Sequence, residues 1–297
     1  MSNMNARERY LAVAHFKKPD KVPISVGDIR KDVLKRWRAE GMPRDVDPWA
    51  YFDFDGGSSE GAFALGISIS SYTQAGGWGL NPNAINLGPL PPFEQRVLEE
   101  DERYRIWIDD LGITQKGFTK DWKEGWSGFA TRVFMDFPVR NRKDFLEMKN
   151  KYDPKSRGRY PKQWKELRRQ WRERSYPIGF SLRGPFWFVR DMMGLHRMMI
   201  EFYRNPDFIR EIMEFSTEFH IETLRRAAEE VSVDFAWICE DMSYKRGPMI
   251  SPKMVREFML PCYKRLSKFC GSTELILLAW TATGTWNLWF RYGLRQA

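Results

Sequence analysis

Two stretches decide the fold: Tyr176-Pro-Ile-Gly-Phe-Ser-Leu-Arg-Gly-Pro185 and, further on, Val233-Asp-Phe-Ala-Trp-Ile-Cys-Glu-Asp241. Ile178–Ser181 and Val233–Ile238 are short apolar runs, the pattern of strands buried on both faces. After the first comes a loop, Leu182–Pro185, and then a Met-rich helix through Met193. Asn205-Pro206-Asp207 opens another helix, with Asn at the cap and Pro at its first position. Phe208, Ile212, Phe215, Phe219, Thr223 and Ala227 hold helical spacing from there to about Glu230. Ser251-Pro252 starts a further helix by the same rule, with Val255, Phe258 and Met259 inward and Pro261 expected to kink it. Strand, loop and helix in alternation mean a parallel α/β sheet. No GxGxxG follows the first strand, which favours a (β/α)8 TIM barrel over a doubly wound sheet.

Working outward, Asn5 and Glu8 form a capping-box pattern ahead of a helix carrying Tyr10, Leu11, Ala14 and His15 on one face. Val22–Val26 is expected as a short strand, and Arg30–Glu40 as a helix with Val33, Leu34 and Trp37 inward. Residues 50–138 are loop-rich and expected to be an insertion, with two antiparallel strands near Phe93–Leu98 and Tyr104–Ile108. Residues 1–270 are expected to be one barrel domain, and 271–297 an aberrant tail.

The chain has 297 residues, 15% of them aromatic, and a formal net charge of +9. That composition can bury a core and excludes a disordered chain. No apolar window is long enough to cross a membrane, and the first residues lack a secretory apolar core, so a cytoplasmic protein is expected. Three cysteines and three histidines, with no CxxC, HExxH or HxC, exclude a disulfide framework and argue against a His/Cys zinc site. Of the Lys/Arg, 14 fall between Arg140 and Arg174 with only 5 Asp/Glu, so this segment holds the whole excess charge. There Trp164, Leu167 and Trp171 mark one face of an amphipathic helix. The segment is therefore expected to be a solvated basic helix face. No nucleic-acid motif accompanies it.

In a barrel, chemistry sits where strands end. The polar residues there are Asp28 and Arg30, Arg183, and Glu240-Asp241. Neighbours on a strand point to opposite faces, so only one of Glu240 and Asp241 is expected to face the mouth as acid/base. Arg183 suits a carboxylate or other anionic substrate. Met192, Met193, Met198 and Met199 are expected as core filler, and Cys239 as a buried small residue rather than a nucleophile. No metal ligand set is expected.

Ala6-Arg-Glu-Arg-Tyr-Leu-Ala12, Lys18–Ile24, Gly179–Phe186 with Met193-Gly194, Asp241–Pro252 and Pro261–Arg265 together resemble the uroporphyrinogen decarboxylase (URO-D) superfamily. The resemblance spans residues 5–270. It implies a URO-D-type barrel and either haem-pathway decarboxylation or methyl transfer with a corrinoid. Val26–Lys31 lacks the decarboxylase's Arg-Gln-Ala-Gly-Arg. Arg190 stands where that enzyme has a tyrosine, and Asp241 where it has a serine. The chain thus resembles the methyltransferase-like members more closely, although their His-x-Cys is missing. Asp241 and Glu240 are the expected catalytic residues; Arg183, Arg190, Asp28 and Arg30 are the expected substrate-binding ones. The resemblance implies a small-molecule or tetrapyrrole substrate, no covalently bound cofactor, and a corrinoid carried on a partner protein. From Cys270 the tail departs from the family pattern. A two-base shift lets it encode Asp-Ser-Asp-Gly, so the barrel is expected to be incomplete at its C-terminus through a frameshift. A non-enzymatic basic binding protein is the remaining alternative.

Overall fold

The computed structural model describes residues 4–24, 29, 31–55, 67–68, 70–71, 85–120, 132–244, 247–271 and 276–281. In chain order its helices are α1 (Ala6–Ala14), α2 (Lys31–Ala39), α3 (Pro48–Tyr51), α4 (Arg142–Lys149), α5 (Trp164–Arg172), α6 (Pro185–Met193), α7 (Leu195–Arg204), α8 (Pro206–Glu230), α9 (Pro252–Met254) and α10 (Leu260–Gly271). The strands are β1 (Ile67–Ser68), β2 (Ser70–Ser71), β3 (Ile85–Asn86), β4 (Arg96–Glu100), β5 (Tyr104–Ile108), β6 (Thr114–Phe118), β7 (Val133–Asp136), β8 (Ile178–Arg183), β9 (Phe235–Glu240), β10 (Ser243–Tyr244), β11 (Gly247–Pro248) and β12 (Ile276–Thr281).

The architecture is α/β. A parallel sheet in the order β1-β8-β9-β12 carries α6, α7 and α8 between β8 and β9. Among the described residues this sheet has four strands and does not close, so the eight-strand barrel expected from the sequence is present only as an arc. Of the expected strand Val22–Val26, residues 22–24 form none: Ile24 donates its amide to the Asp55 side chain and its carbonyl accepts from the Asp55 amide, while residues 25 and 26 lie outside the described residues. The inserted region forms a separate antiparallel sheet, β4-β5-β6-β7. Two of its strands, β6 and β7, were not expected, since Thr114-Gln-Lys-Gly-Phe118 has little apolar alternation.

One face of the parallel sheet is sealed by helices. Ile178, Phe180, Leu182, Ala236 and Ile238 are fully buried there, packed with Phe186, Val189, Met192, Phe219 and Leu224. Each such Ile, Leu, Val, Phe or Met side chain contributes about 1.5–3 kcal/mol. Met198 and Met193 belong to this core, as expected. The capping box of Asn5 and Glu8 is formed, but α1 buries Arg9, Tyr10 and Ala12 and leaves His15 exposed. The expected kink at Pro261 takes the form of a π-helical turn, Val255–Met259, just before that residue. Pro261 has no N–H, and the wider turn lets the Leu260 amide reach Val255 O instead.

In the basic segment α5 does bury Trp164, Leu167 and Trp171. Two of its arginines are not on a solvated face. Arg159 is 1% exposed and donates to the carbonyls of Asn86, Gly88, Lys151 and Asp153. Arg174 is buried against Asp234, which also takes Arg7 from α1.

Candidate functional site

Register fixes what each strand presents. Gly179, Ser181 and Arg183 of β8 lie beside Phe235, Trp237 and Cys239 of β9. These face away from the helices, so Ser181, Trp237 and Cys239 are half-buried. Gly179 is needed here, since a Cβ would lie 2.2 Å from the Phe235 ring. Ser181 Oγ and Cys239 Sγ are 3.9 Å apart. Ser70 Oγ accepts from Ser181 N and donates to Ser181 O, tying β2 to β8. Burial pushes the Cys239 thiol up to about 11, so it stays protonated and is no nucleophile at neutral pH.

The alternate residue, Glu240, points the other way, into the helix layer. It is 2% exposed. Oε1 accepts from Phe186 N at 3.2 Å and from Tyr263 Oη–H at 2.7 Å, and Oε2 accepts from Trp187 N at 2.9 Å. Burial pushes its carboxyl up to about 7, against the opposing pull of Tyr263, the two amides and Arg190.

Asp241 follows the strand and stands at the mouth, half-buried. Its Oδ2 is 3.6 Å from Arg190 Nη1, and the same nitrogen is 3.4 Å from Asp241 O. Asp241 Oδ1 is buried and receives no hydrogen bond. Arg183 Nη1 lies 2.6 Å from Asp191 Oδ2, and Arg190 Nε lies 4.0 Å from Asp191 Oδ1. The Trp187 ring lies under both arginines, 4.5 Å from Arg190 and 5.9 Å from Arg183.

The inserted region carries a buried carboxylate within the field of Arg183. Asp109, in the turn after β5, accepts from Leu111 N, Ile113 N and Gln115 Nε2. Burial raises its carboxyl to about 6; the amides of Ile113 and Leu111 and the field of Arg183 pull it down, while neighbouring Asp110 pushes it up. His220 on α8 is fully buried and neutral, pushed down to about 3 by burial and by Arg183. Among the described residues no group of three His, Cys, Asp or Glu is placed to hold a metal ion, and no helix is long and apolar enough to cross a membrane.

Of the expected site residues, the structure brings Arg183, Arg190 and Asp241 to one mouth, and sets Glu240 behind it. Asp28 and Arg30 lie outside the described residues, as does the tail from residue 282. Asp191, Trp187, Asp109 and Tyr263 were not singled out from the sequence. Only Asp191 carried a signal there, as the acidic neighbour of Arg190.

Residues 132–291, more than half of the chain, match the family described as uroporphyrinogen decarboxylase (URO-D), and the chain belongs to that family. No curated protein matches it. Among solved structures it is similar to a methyltransferase from Methanosarcina mazei, at 15% identity and a TM-score of 0.47, covering 93% of this chain and 69% of that one.

Proposed function

We propose that the chain is a methyl-transferring member of the URO-D family, acting on a small substrate at the mouth formed by Arg183, Arg190, Asp191 and Asp241. The observation that carries this reading is the charge balance of the mouth. Both arginines already face carboxylates, Arg183 on Asp191 and Arg190 on Asp241. Among the described residues, the two mouth arginines are each matched by a carboxylate and so offer little net charge to the several carboxylates of a porphyrinogen. Such a mouth suits a small neutral substrate that brings a hydrogen-bond donor to the orphaned Asp241 Oδ1.

In this reading Asp241 handles the proton. When the substrate heteroatom gains a methyl group, its X–H bond breaks as X–C forms, and the proton passes to Asp241. In the reverse direction protonated Asp241 returns it as the X–C bond breaks. Arg190 keeps the carboxylate oriented through Oδ2. In this reading the methyl carrier is a corrinoid presented by a partner protein. It would supply or accept the methyl group.

The test mixes the purified protein with cob(I)alamin and a panel of N-, O- and S-methyl donors and follows methylcobalamin by absorbance. Asp241→Asn is expected to lower kcat by about 10²–10⁴-fold with a smaller change in KM. A panel with no turnover, an Asn variant within threefold of wild type, or turnover of uroporphyrinogen alone overturns the reading.

A further inference from the structure

Arg190 and Asp191 reach the mouth only because α6 begins where it does. The first N–H groups of a helix have no helical acceptor. Two of those of α6, at Phe186 and Trp187, are taken by Glu240. The third donor to the same carboxyl is Tyr263 on α10, 23 residues further along the chain than Glu240. Gly184 makes this approach possible, since a Cβ there would lie 2.1 Å from Glu240 Oε1.

We propose that Glu240 and Tyr263 are positioning residues, which clamp the first turn of α6 to the end of β9 and so set where Arg190 and Asp191 stand against Asp241 and Arg183. This rests on the mouth being the site. It replaces an acid/base role for Glu240, whose side chain is turned from the open face of the sheet and enclosed. A carboxylate is favoured at a helix N-terminus, where the amides and the helix dipole both meet negative charge. The charged and titratable groups that face Glu240 are Arg190 from α6, Tyr263 and Cys262 from α10, and its neighbour Cys239. The ionised form accepts all three hydrogen bonds. The protonated form must place its own O–H among three donors, which loosens the clamp. Since burial brings this carboxyl to about 7, the tightness of α6 follows pH near neutrality.

The Trp187 ring, lying under Arg190, reports the change. Protein labelled with 5-fluorotryptophan is titrated from pH 5.5 to 9 by fluorine NMR, with Trp187→Phe identifying the resonance. The Trp187 signal is expected to move with a midpoint near 7 in wild type and to stay flat in Glu240→Gln. In Tyr263→Phe, which removes one donor to the charged form, the midpoint is expected to rise by about one pH unit. A resonance that is flat in wild type, or one that titrates unchanged in Glu240→Gln, overturns the proposal. If Glu240→Gln does not fold, Tyr263→Phe decides: an unmoved midpoint overturns it. The readout contains no substrate, so a failure of methyl transfer leaves it standing, and its failure leaves methyl transfer to be judged by its own assay.

Discussion

Replacing Gly184 by Ala tests the packing behind the mouth with a single methyl group. The backbone at Gly184 (φ −68°, ψ 168°) suits any residue, so no strain enters through the main chain. Everything turns on space. The added Cβ would lie 2.1 Å from Oε1, 2.2 Å from Cδ and 2.6 Å from Cγ of Glu240. Glu240 is held by Phe186 N, Trp187 N and Tyr263 Oη, so it cannot step aside without losing them. Forced overpacking costs about 1–3 kcal/mol, and a hydrogen bond to a charged group is worth about 1.5–3 kcal/mol. Against this, Gly→Ala stiffens the unfolded chain and gains only about 0.4–1 kcal/mol. The steric loss wins, and Gly184→Ala should destabilise by at least about 2 kcal/mol. Urea unfolding reads this as a lower midpoint at unchanged slope. The same change made in a Glu240→Ala background meets no carboxyl group, and its cost there should fall below about 0.5 kcal/mol. A Gly184→Ala protein within about 0.5 kcal/mol of wild type, or an equal cost in both backgrounds, refutes the reasoning.

Two further outcomes are expected. Asp234→Ala leaves Arg174 buried without its carboxylate and removes the acceptor of Ile178 N; it should cost about 3–5 kcal/mol in urea unfolding, and a loss below about 1 kcal/mol contradicts this. Stability should also depend on pH through Glu240: between its ordinary value of 4.5 and about 7 the folded chain keeps a proton that the unfolded chain releases, so this contribution is full below 4.5 and is lost as pH rises to about 7, by about 3 kcal/mol in all. His220 runs the opposite way, full above its ordinary 6.5 and lost as pH falls toward about 3. The two overlap, so the measurement is the difference in stability between wild type and Glu240→Gln, which should decline for wild type from pH 4.5 to 7.5; a constant difference contradicts it.

The strands β8 and β9 and the starts of α8 and α9 were legible because their signals are local. An apolar run and an Asn-Pro or Ser-Pro pair each act within a few residues, whereas Pro185, expected in a loop, begins α6. The expectation that only one of Glu240 and Asp241 faces the mouth was also readable from strand alternation. Which one does was not. Glu240 is turned inward by donors from α6 and α10, a choice made in three dimensions. Gly184 carried the one sequence trace of that choice, as a strand-end glycine admitting a close approach. Arg183 was expected as an anion anchor, but its partner Asp191 meets it only after α6 folds back over the strand end. The inserted sheet hid β6 and β7 because the buried positions of β6 are Gln115 and Gly117 and the apolar Val133, Phe134 and Met135 of β7 are exposed, so neither shows an apolar alternation.

The contact between Arg7 and Asp234 has a consequence for how the chain is made. Arg7 Nε binds Asp234 Oδ1 at 2.9 Å across 227 residues, and Arg7 N also binds Ser175 O. A ribosome adding about 5–20 residues per second needs roughly 10–45 s to make that intervening length. During that time α1 has its own capping box but no sheet to lie against. Closure of so long a loop comes late and is entropically costly. α1 is thus made well before the strand it packs against, and until β9 emerges Tyr10 lacks the Phe235 ring that covers it.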